Sequence, residues 1–480
     1  LLLFGLSASQ EEQGTMDIYL VAIGGTGMAP LACLLRDLGH KVRGSDLPLY
    51  PPMSDVLARA GIEPLVGWDP AHLDPPPELV VIGNAVPRHN PEVDAVERLG
   101  LPRISMPQAL SRFVLAGRHP LVVAGTHGKT TTSSLAAFVF EHCGRRPGWL
   151  VGGLPFDLPS SFRLGTGDVF VLEGDEYNAA WFDRGPKFLH YGPKTLILTS
   201  AEHDHLDLYP TRESLLDAYR KLLAGMDPDS LVIACRDDAD VREVLSAARG
   251  RVVTYGLSDQ PRPGEAAVVI REQGPDGMRV VFTMPDGAST ETTLRLAGSH
   301  NGRNALAVFL AATSHGIPAN DAAAALAAFS GVRRRAEVVG EANGITVIDD
   351  FAHHPTAVET TLRGLAARFR GRRLVGVLEP RSLTSGRQSL ADDWVRALAV
   401  ADLAVIAPVF HFERLGAEAL DAPRVAAEIR ERGGQAIAVP QGGDTLATLL
   451  DVVKPGDVVV TMSSGSFDGL PRALVAALAT

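Results

Sequence analysis

The sequence predicts an α/β protein of three domains in series: a Rossmann-like N-terminal domain, a phosphate-loop (P-loop) central ATPase domain with an antiparallel appendage, and a Rossmann-like C-terminal domain. Three observations carry this expectation. A chain of 480 residues is too long for one hydrophobic core. Twice an apolar run passes through glycines straight into a helical pattern: Asp17 to Ile23 before Gly24-Gly25-Thr26-Gly27, and Leu121-Val122-Val123-Ala124 before Gly125-Thr126-His127-Gly128-Lys129-Thr130-Thr131-Thr132. After a basic segment at Gly331 to Ala336, strand and helix patterns alternate again. The expected divisions are 16–118, 119–332 and 333–480, with 1–15 an extension or tag.

Composition narrows the function classes. Apolar residues make up 46% of the chain and charged residues 21%, the balance of a globular enzyme rather than a disordered or membrane protein. A net charge of -11 without a basic stripe argues against a nucleic-acid partner. Cys33, Cys143 and Cys235 are odd in number and sit in apolar or helical patterns, which fits a reducing, cytoplasmic setting without structural disulfides. The run Leu1 to Leu6 lacks a basic flank and is too short to cross a bilayer; a signal peptide is the alternative to an extension. No membrane partner is expected, and the chain is expected to be a monomer or a homodimer.

In the first domain, the glycine turn opens a helix running to about Leu38. Pro30 stands where the dinucleotide fingerprint has its last glycine, so diphosphate binding at the helix start is the expectation. A strand from Lys41 delivers Asp46, which either reaches a ribose or base or caps the next turn. Leu79 to Ile82 opens into Gly83-Asn84-Ala85, and Asn90-Pro91 starts a helix.

The central domain opens on the phosphate loop. Val123 occupies the place of the first glycine in the strict pattern, yet the physics is retained. Free amides at a helix start face phosphates, Lys129 offers a point charge, and the Thr130 hydroxyl can hold Mg²⁺. Val169 to Leu172 leads to Glu173-Gly174-Asp175-Glu176-Tyr177, where Glu173 is placed to hold the metal directly or through water. Thr195 to Leu198 opens into Glu202-His203-Asp204-His205-Leu206-Asp207, a polar cluster read as a site; zinc is the rival to Mg²⁺ there. Short alternating strands between Ala266 and Ala297 form the appendage. Gly298-Ser299-His300-Asn301 then begins a helix with Asn304 one turn on; these groups either bind adenine or, for Asn301, cap the helix.

In the third domain Asp349-Asp350-Phe351-Ala352-His353-His354-Pro355 ends the strand from Ile345, where open α/β sheets bind ligands. Helix capping by these groups is the alternative.

The phosphate loop, the E-x-D-E-Y and E-x-D-H-x-D segments, the H-N-x-x-N helix start and D-D-F-A-H-H-P, in this order, closely resemble the Mur ligases from Met16 onward. That resemblance implies an ATP-dependent ligase joining the carboxylate of UDP-N-acetylmuramate to an amine through an acyl phosphate. The stretches Tyr50-Pro51-Pro52-Met53-Ser54, Phe182-Asp183 and Glu379-Pro380-Arg381-Ser382 resemble the recycling branch of the family. Its amine is the free murein tripeptide L-Ala-γ-D-Glu-meso-diaminopimelate; the alternative is the branch that adds L-alanine. The resemblance further implies ATP and Mg²⁺ as cofactors, with Lys129, Glu173, His205 and Arg335 catalytic and Thr130, Glu173 and His205 at the metal. It puts Gly125, Thr126, His127, Gly128, Thr131, His300, Asn301, Asn304 and Asp349 around the nucleotide. Gly25, Thr26, Gly27, Asp46, Asn84, His354 and Arg381 form the substrate set, with Arg381 binding a peptide carboxylate or, alternatively, making an interdomain ion pair. Two departures stand out: Ser200 replaces the family's usual Asn, and Gly174 its usual Ala. The first is expected to alter a hydrogen bond near the metal, the second to loosen the backbone beside a ligand.

Overall fold

The computed structural model describes residues 14–204, 206, 208–260 and 262–479. Among the described residues three large sheets follow one another along the chain, with a two-stranded ribbon of Asn178–Ala180 and Asp183–Pro186 beside them. The first has five parallel strands in the order Leu65–Val66, Lys41–Asp46, Asp17–Val21, Leu79–Ile82, Arg103–Ser105. The order reverses between Asp17–Val21 and Leu79–Ile82, and the Gly24–Gly27 turn follows the first of these strands.

The second sheet has ten strands. His119–Ala124 lies inside it, between Thr195–Leu198 and Val169–Gly174, parallel to both. Thr195–Leu198 is buried along its whole length, which is why it reads as an unbroken apolar run rather than an alternating one. The expected appendage forms the edge: Ala266–Gly274 continues the parallel sheet from Arg251–Leu257, and Gly277–Thr283 and Ser289–Leu294 add antiparallel strands. Helices Lys129–His142 and Ser299–Ser314 pack on each other, and their apolar faces share one core with the strands.

The third sheet runs Glu337–Ala342, Ile345–Asp350, Val458–Met462, Leu374–Leu378, Leu403–Ile406, Ala436–Ala438, with the first strand antiparallel and the rest parallel. A single apolar cluster joins the first two sheets, from Ile18 and Leu20 through Val122, Phe170 and Leu196. The third sheet has its own cores on its two faces. Among the described residues no helix is long and apolar enough to cross a membrane. Residues 1–13 lie outside the described residues, as does His205.

Candidate active site between the second and third sheets

The register sets the site. Ala124 lies level with Leu198 on one side and Gly174 on the other, so three strands end together and their loops meet. Gly125 has φ +128°, and a Cβ there would sit 2.7 Å from the Ser200 backbone nitrogen and oxygen. Gly128, at φ +82°, begins helix Lys129–His142, which carries no side-chain cap. Its first amides are therefore left for an anion. The loop is braced from the neighbouring strand: His127 N donates to Ser200 Oγ at 2.9 Å, and Thr126 Oγ1 donates to the Glu202 carbonyl at 2.6 Å. Ser200 thus supports the phosphate loop itself.

Lys129 does not stand free. Its ammonium donates to both oxygens of Glu176, at 2.7 and 2.8 Å, and to the Gly125 carbonyl at 2.7 Å. Burial pulls its pKa down most strongly, but the carboxylates of Glu176, Glu173 and Asp175 together outweigh it and the net shift is upward. Glu176 is 1% exposed and also accepts from Tyr219 Oη at 2.9 Å. Sequence reasoning passed over Glu176, although it lies in the quoted E-x-D-E-Y segment; the signal was that a buried lysine requires a carboxylate.

Thr130 Oγ1 donates to Glu173 Oε1 at 3.0 Å, and Gly152 N donates to Glu173 Oε2 at 2.7 Å. Two hard oxygen donors meeting at a phosphate loop fit Mg²⁺, which keeps several waters and takes few protein ligands. Arg335 reaches them from the far side: its Nη2 donates to Thr130 Oγ1 at 3.1 Å, and its guanidinium lies 4.8 Å over the Phe351 ring. The backbone around it is strained, with Arg334 at φ +59° and Ala336 at +53°. Burial lowers the Arg335 pKa, while Asp350 and Glu173 work against that shift.

Beside this group lies a cavity of about 300 Å³ lined by His127, Gly128 and Thr131 from the loop helix, His300, Asn301 and Asn304 from helix Ser299–Ser314, and Arg335 and Asp350 from the third domain. Burial lowers the His300 pKa to about 4, and its Nδ1 is buried without a hydrogen-bond partner among the described residues. A neutral imidazole with an unused nitrogen suits a polar heterocycle. Asn301 does not cap the helix: Gly298 is the cap residue, and Asn301 Nδ2 donates to the Ala297 carbonyl at 2.7 Å. Asn304 Nδ2 donates to Asn301 Oδ1 at 3.2 Å.

Asp349 is not among the cavity's lining residues. It pairs with Arg334 at 3.3 Å, whereas Asp350 lines the cavity. Consecutive residues of a strand point to opposite faces, so a one-residue difference decides which acid faces the cavity. Asp350 is 5% exposed and accepts from the backbone nitrogens of Ala336 at 2.7 Å and Ala352 at 2.8 Å.

Gly174 also differs from expectation. A Cβ there would lie 3.0 Å from Val122 Cγ1 and 3.1 Å from the Ala124 Cβ, so the glycine serves close packing against the neighbouring strand rather than backbone freedom.

In the first domain Asp46 Oδ2 accepts from Gly24 N at 2.8 Å, tying the second strand to the glycine turn. Asp46 lines a separate cavity of about 310 Å³ with Leu47, Ser54 and Glu63; Gly25, Thr26, Gly27 and Asn84 are not among its lining residues. On the third sheet, Glu379 and Arg381 follow strand Leu374–Leu378, on the same edge as Asp350 to His354. Arg381 lies 3.9 Å over the Phe410 ring and pairs with Glu379 at 3.3 Å. Both members of that ion pair belong to the third domain.

Comparison with known proteins matches three family models along the chain. They are the "Mur ligase family, catalytic domain" at residues 17–118, the "Mur ligase middle domain" at 123–312, and the "Mur ligase, glutamate ligase domain" at 334–465. A UDP-N-acetylmuramate–L-alanyl-γ-D-glutamyl-meso-2,6-diaminoheptandioate ligase from Escherichia coli is 39% identical over 97% of this chain and 98% of its own. A crystallised murein peptide ligase from Psychrobacter arcticus is 33% identical with a TM-score of 0.69, covering 97% of this chain and 99% of its own. A UDP-N-acetylmuramate-alanine ligase from Thermotoga maritima is 25% identical with a TM-score of 0.75, covering 96% and 99%. With the phosphate loop, its acids and the arginine from the third domain assembled in one cleft, and with relatives matching end to end, the chain belongs to the Mur ligase family.

Proposed function

We propose that this protein is an ATP-dependent ligase that joins the tripeptide L-Ala-γ-D-Glu-meso-diaminopimelate to the lactyl carboxylate of UDP-N-acetylmuramate, releasing ADP and phosphate. One observation supports it above the others: Thr130 is touched at once by Glu173 of its own sheet and by Arg335 of the next domain, beside a cavity sized for a nucleoside. Phosphoryl transfer is mostly positioning and charge neutralisation, and these groups supply both.

In this reading the free amides at the start of helix Lys129–His142 hold the phosphates and Lys129 shares its charge between them and Glu176. His300, Asn301 and Asn304 receive the base, and Asp350 rather than Asp349 receives the ribose. Thr130 and Glu173, with His205, would hold Mg²⁺, which when bound neutralises charge on the phosphate oxygens. Arg335 stabilises charge on the transferring group. The carboxylate becomes an acyl phosphate, the peptide amine attacks its carbonyl, and phosphate leaves. Contact of the two domains excludes water from the acyl phosphate. The first domain takes the nucleotide sugar at Gly25, Thr26, Gly27, Asp46 and Asn84. Arg381, on the third sheet edge with His354, takes a peptide carboxylate.

L-Alanine as the acceptor is the second reading, favoured by the higher TM-score to the alanine ligase. The greater identity to the tripeptide ligase favours the first. ADP release measured with UDP-N-acetylmuramate separates them. Tripeptide far outperforming L-alanine is expected; the reverse preference makes the chain an alanine-adding enzyme.

A further inference from the structure

At the rim of the same cavity, which His127, Glu202 and Thr356 also line, the phosphate loop and the third domain meet at a second place through side chains not assigned above to the phosphates. The His127 Nε2 lies 2.8 Å from Glu202 Oε2, and the ring of His354 lies 5.4 Å from that of His127, centroid to centroid. One ligand atom from each of His127, Glu202 and His354 lies within 4.8 Å of the others. A histidine–carboxylate hydrogen bond accounts for two members only. The third, His354, brings a buried Nδ1 with no hydrogen-bond partner among the described residues, and its side chain makes no capping bond to the helix it precedes. The carboxylate is oriented from outside the triad, since Thr356 Oγ1 donates to Glu202 Oε1 at 2.6 Å. Ligating carboxylates are commonly held by such a partner.

We infer that His127, Glu202 and His354 form a binding site for one borderline divalent cation of the zinc or cobalt class, distinct from the oxygen site at Thr130 and Glu173. Two imidazoles and one carboxylate leave a coordination position for water and select against Mg²⁺, which prefers all-oxygen shells. The ligands come from the phosphate loop, the loop following strand Thr195–Leu198 and the segment following strand Ile345–Asp350. Occupancy therefore staples the second domain to the third across the cleft. The inference does not depend on which amine the enzyme uses.

The test uses the full chain, stripped with a chelator, without nucleotide and in excess Mg²⁺. It is titrated with Co²⁺ followed by visible absorption and with Zn²⁺ by calorimetry. One equivalent should bind, and Glu202→Gln and His354→Gln should each weaken binding by about tenfold or more. Absence of binding in excess Mg²⁺, or stoichiometric binding unchanged in both variants, overturns the site. Should circular dichroism show either variant unfolded, the parent decides. Zn²⁺ raising its melting temperature supports a site formed on folding, and no shift refutes it.

Discussion

Lys129 shows how a cationic charge is held in a largely buried position. Its ammonium is neutralised by Glu176, itself 1% exposed and fixed by Tyr219. An arriving phosphate joins an existing ion pair instead of creating a buried charge. Lys129→Ala should lower turnover by about 100-fold or more with the far-UV dichroism unchanged. Turnover within about tenfold of the parent would remove Lys129 from the chemistry. Glu176→Gln keeps the shape and strips the charge, leaving the lysine uncompensated. Urea unfolding should show a loss of roughly 3 kcal/mol, and a change below about 0.5 kcal/mol contradicts the pairing.

The buried histidines carry a pH dependence with a definite sign. Burial lowers both His300 and His119 to about 4. In the folded protein both are neutral down to that pH, whereas the unfolded chain protonates them near about 6.5. The unfolded state then binds more protons, so stability falls as pH drops from about 6.5 toward about 4, and these groups contribute no slope above that window. By NMR the His300 ring should show no titration above about pH 5; a midpoint near about 6.5 contradicts its burial.

Among the elements, the strand ends do the positioning. Gly125 is fixed by its φ of +128° and by the approach of Ser200, so Gly125→Ala should cost about 1–3 kcal/mol and weaken ATP binding in parallel. Calorimetry and urea unfolding on one preparation check this; unchanged ATP affinity counts against the loop assignment. Strands buried on both faces, such as Thr195–Leu198 and Leu79–Ile82, were legible because nothing interrupts their apolar run. The edge strands Leu65–Val66 and Ala436–Ala438 were not, being too short to show a period. Motif residues on loops were legible by spacing. Choosing Asp350 over Asp349 needed the pleat of Ile345–Asp350, and Glu176 needed knowledge of what lies against Lys129. The close packing of Gly174 against Val122 and Ala124 was not legible, because packing between strands is a long-range property invisible in local sequence.

Over the whole molecule, the first two sheets share a core and the third does not. The third domain meets the phosphate loop through side chains, chiefly Arg335 on Thr130 and Thr356 on Glu202. Such a polar junction can open and close where a fused core cannot. Strain at Arg334 and Ala336 aims Arg335 across it. Arg335→Lys keeps one charge but loses the planar fork and the contact over Phe351. Its turnover should fall by about 100-fold with a much smaller change in ATP affinity; an equal loss in both would assign Arg335 to ground-state binding alone.

The most direct measurement is a crystal structure of the protein grown with a non-hydrolysable ATP analogue and Mg²⁺. The account predicts the triphosphate against the free amides at the start of helix Lys129–His142, the metal at Thr130 and Glu173, and the base between His300 and Asn304. Nucleotide density in another crevice, with this cleft vacant, would contradict it.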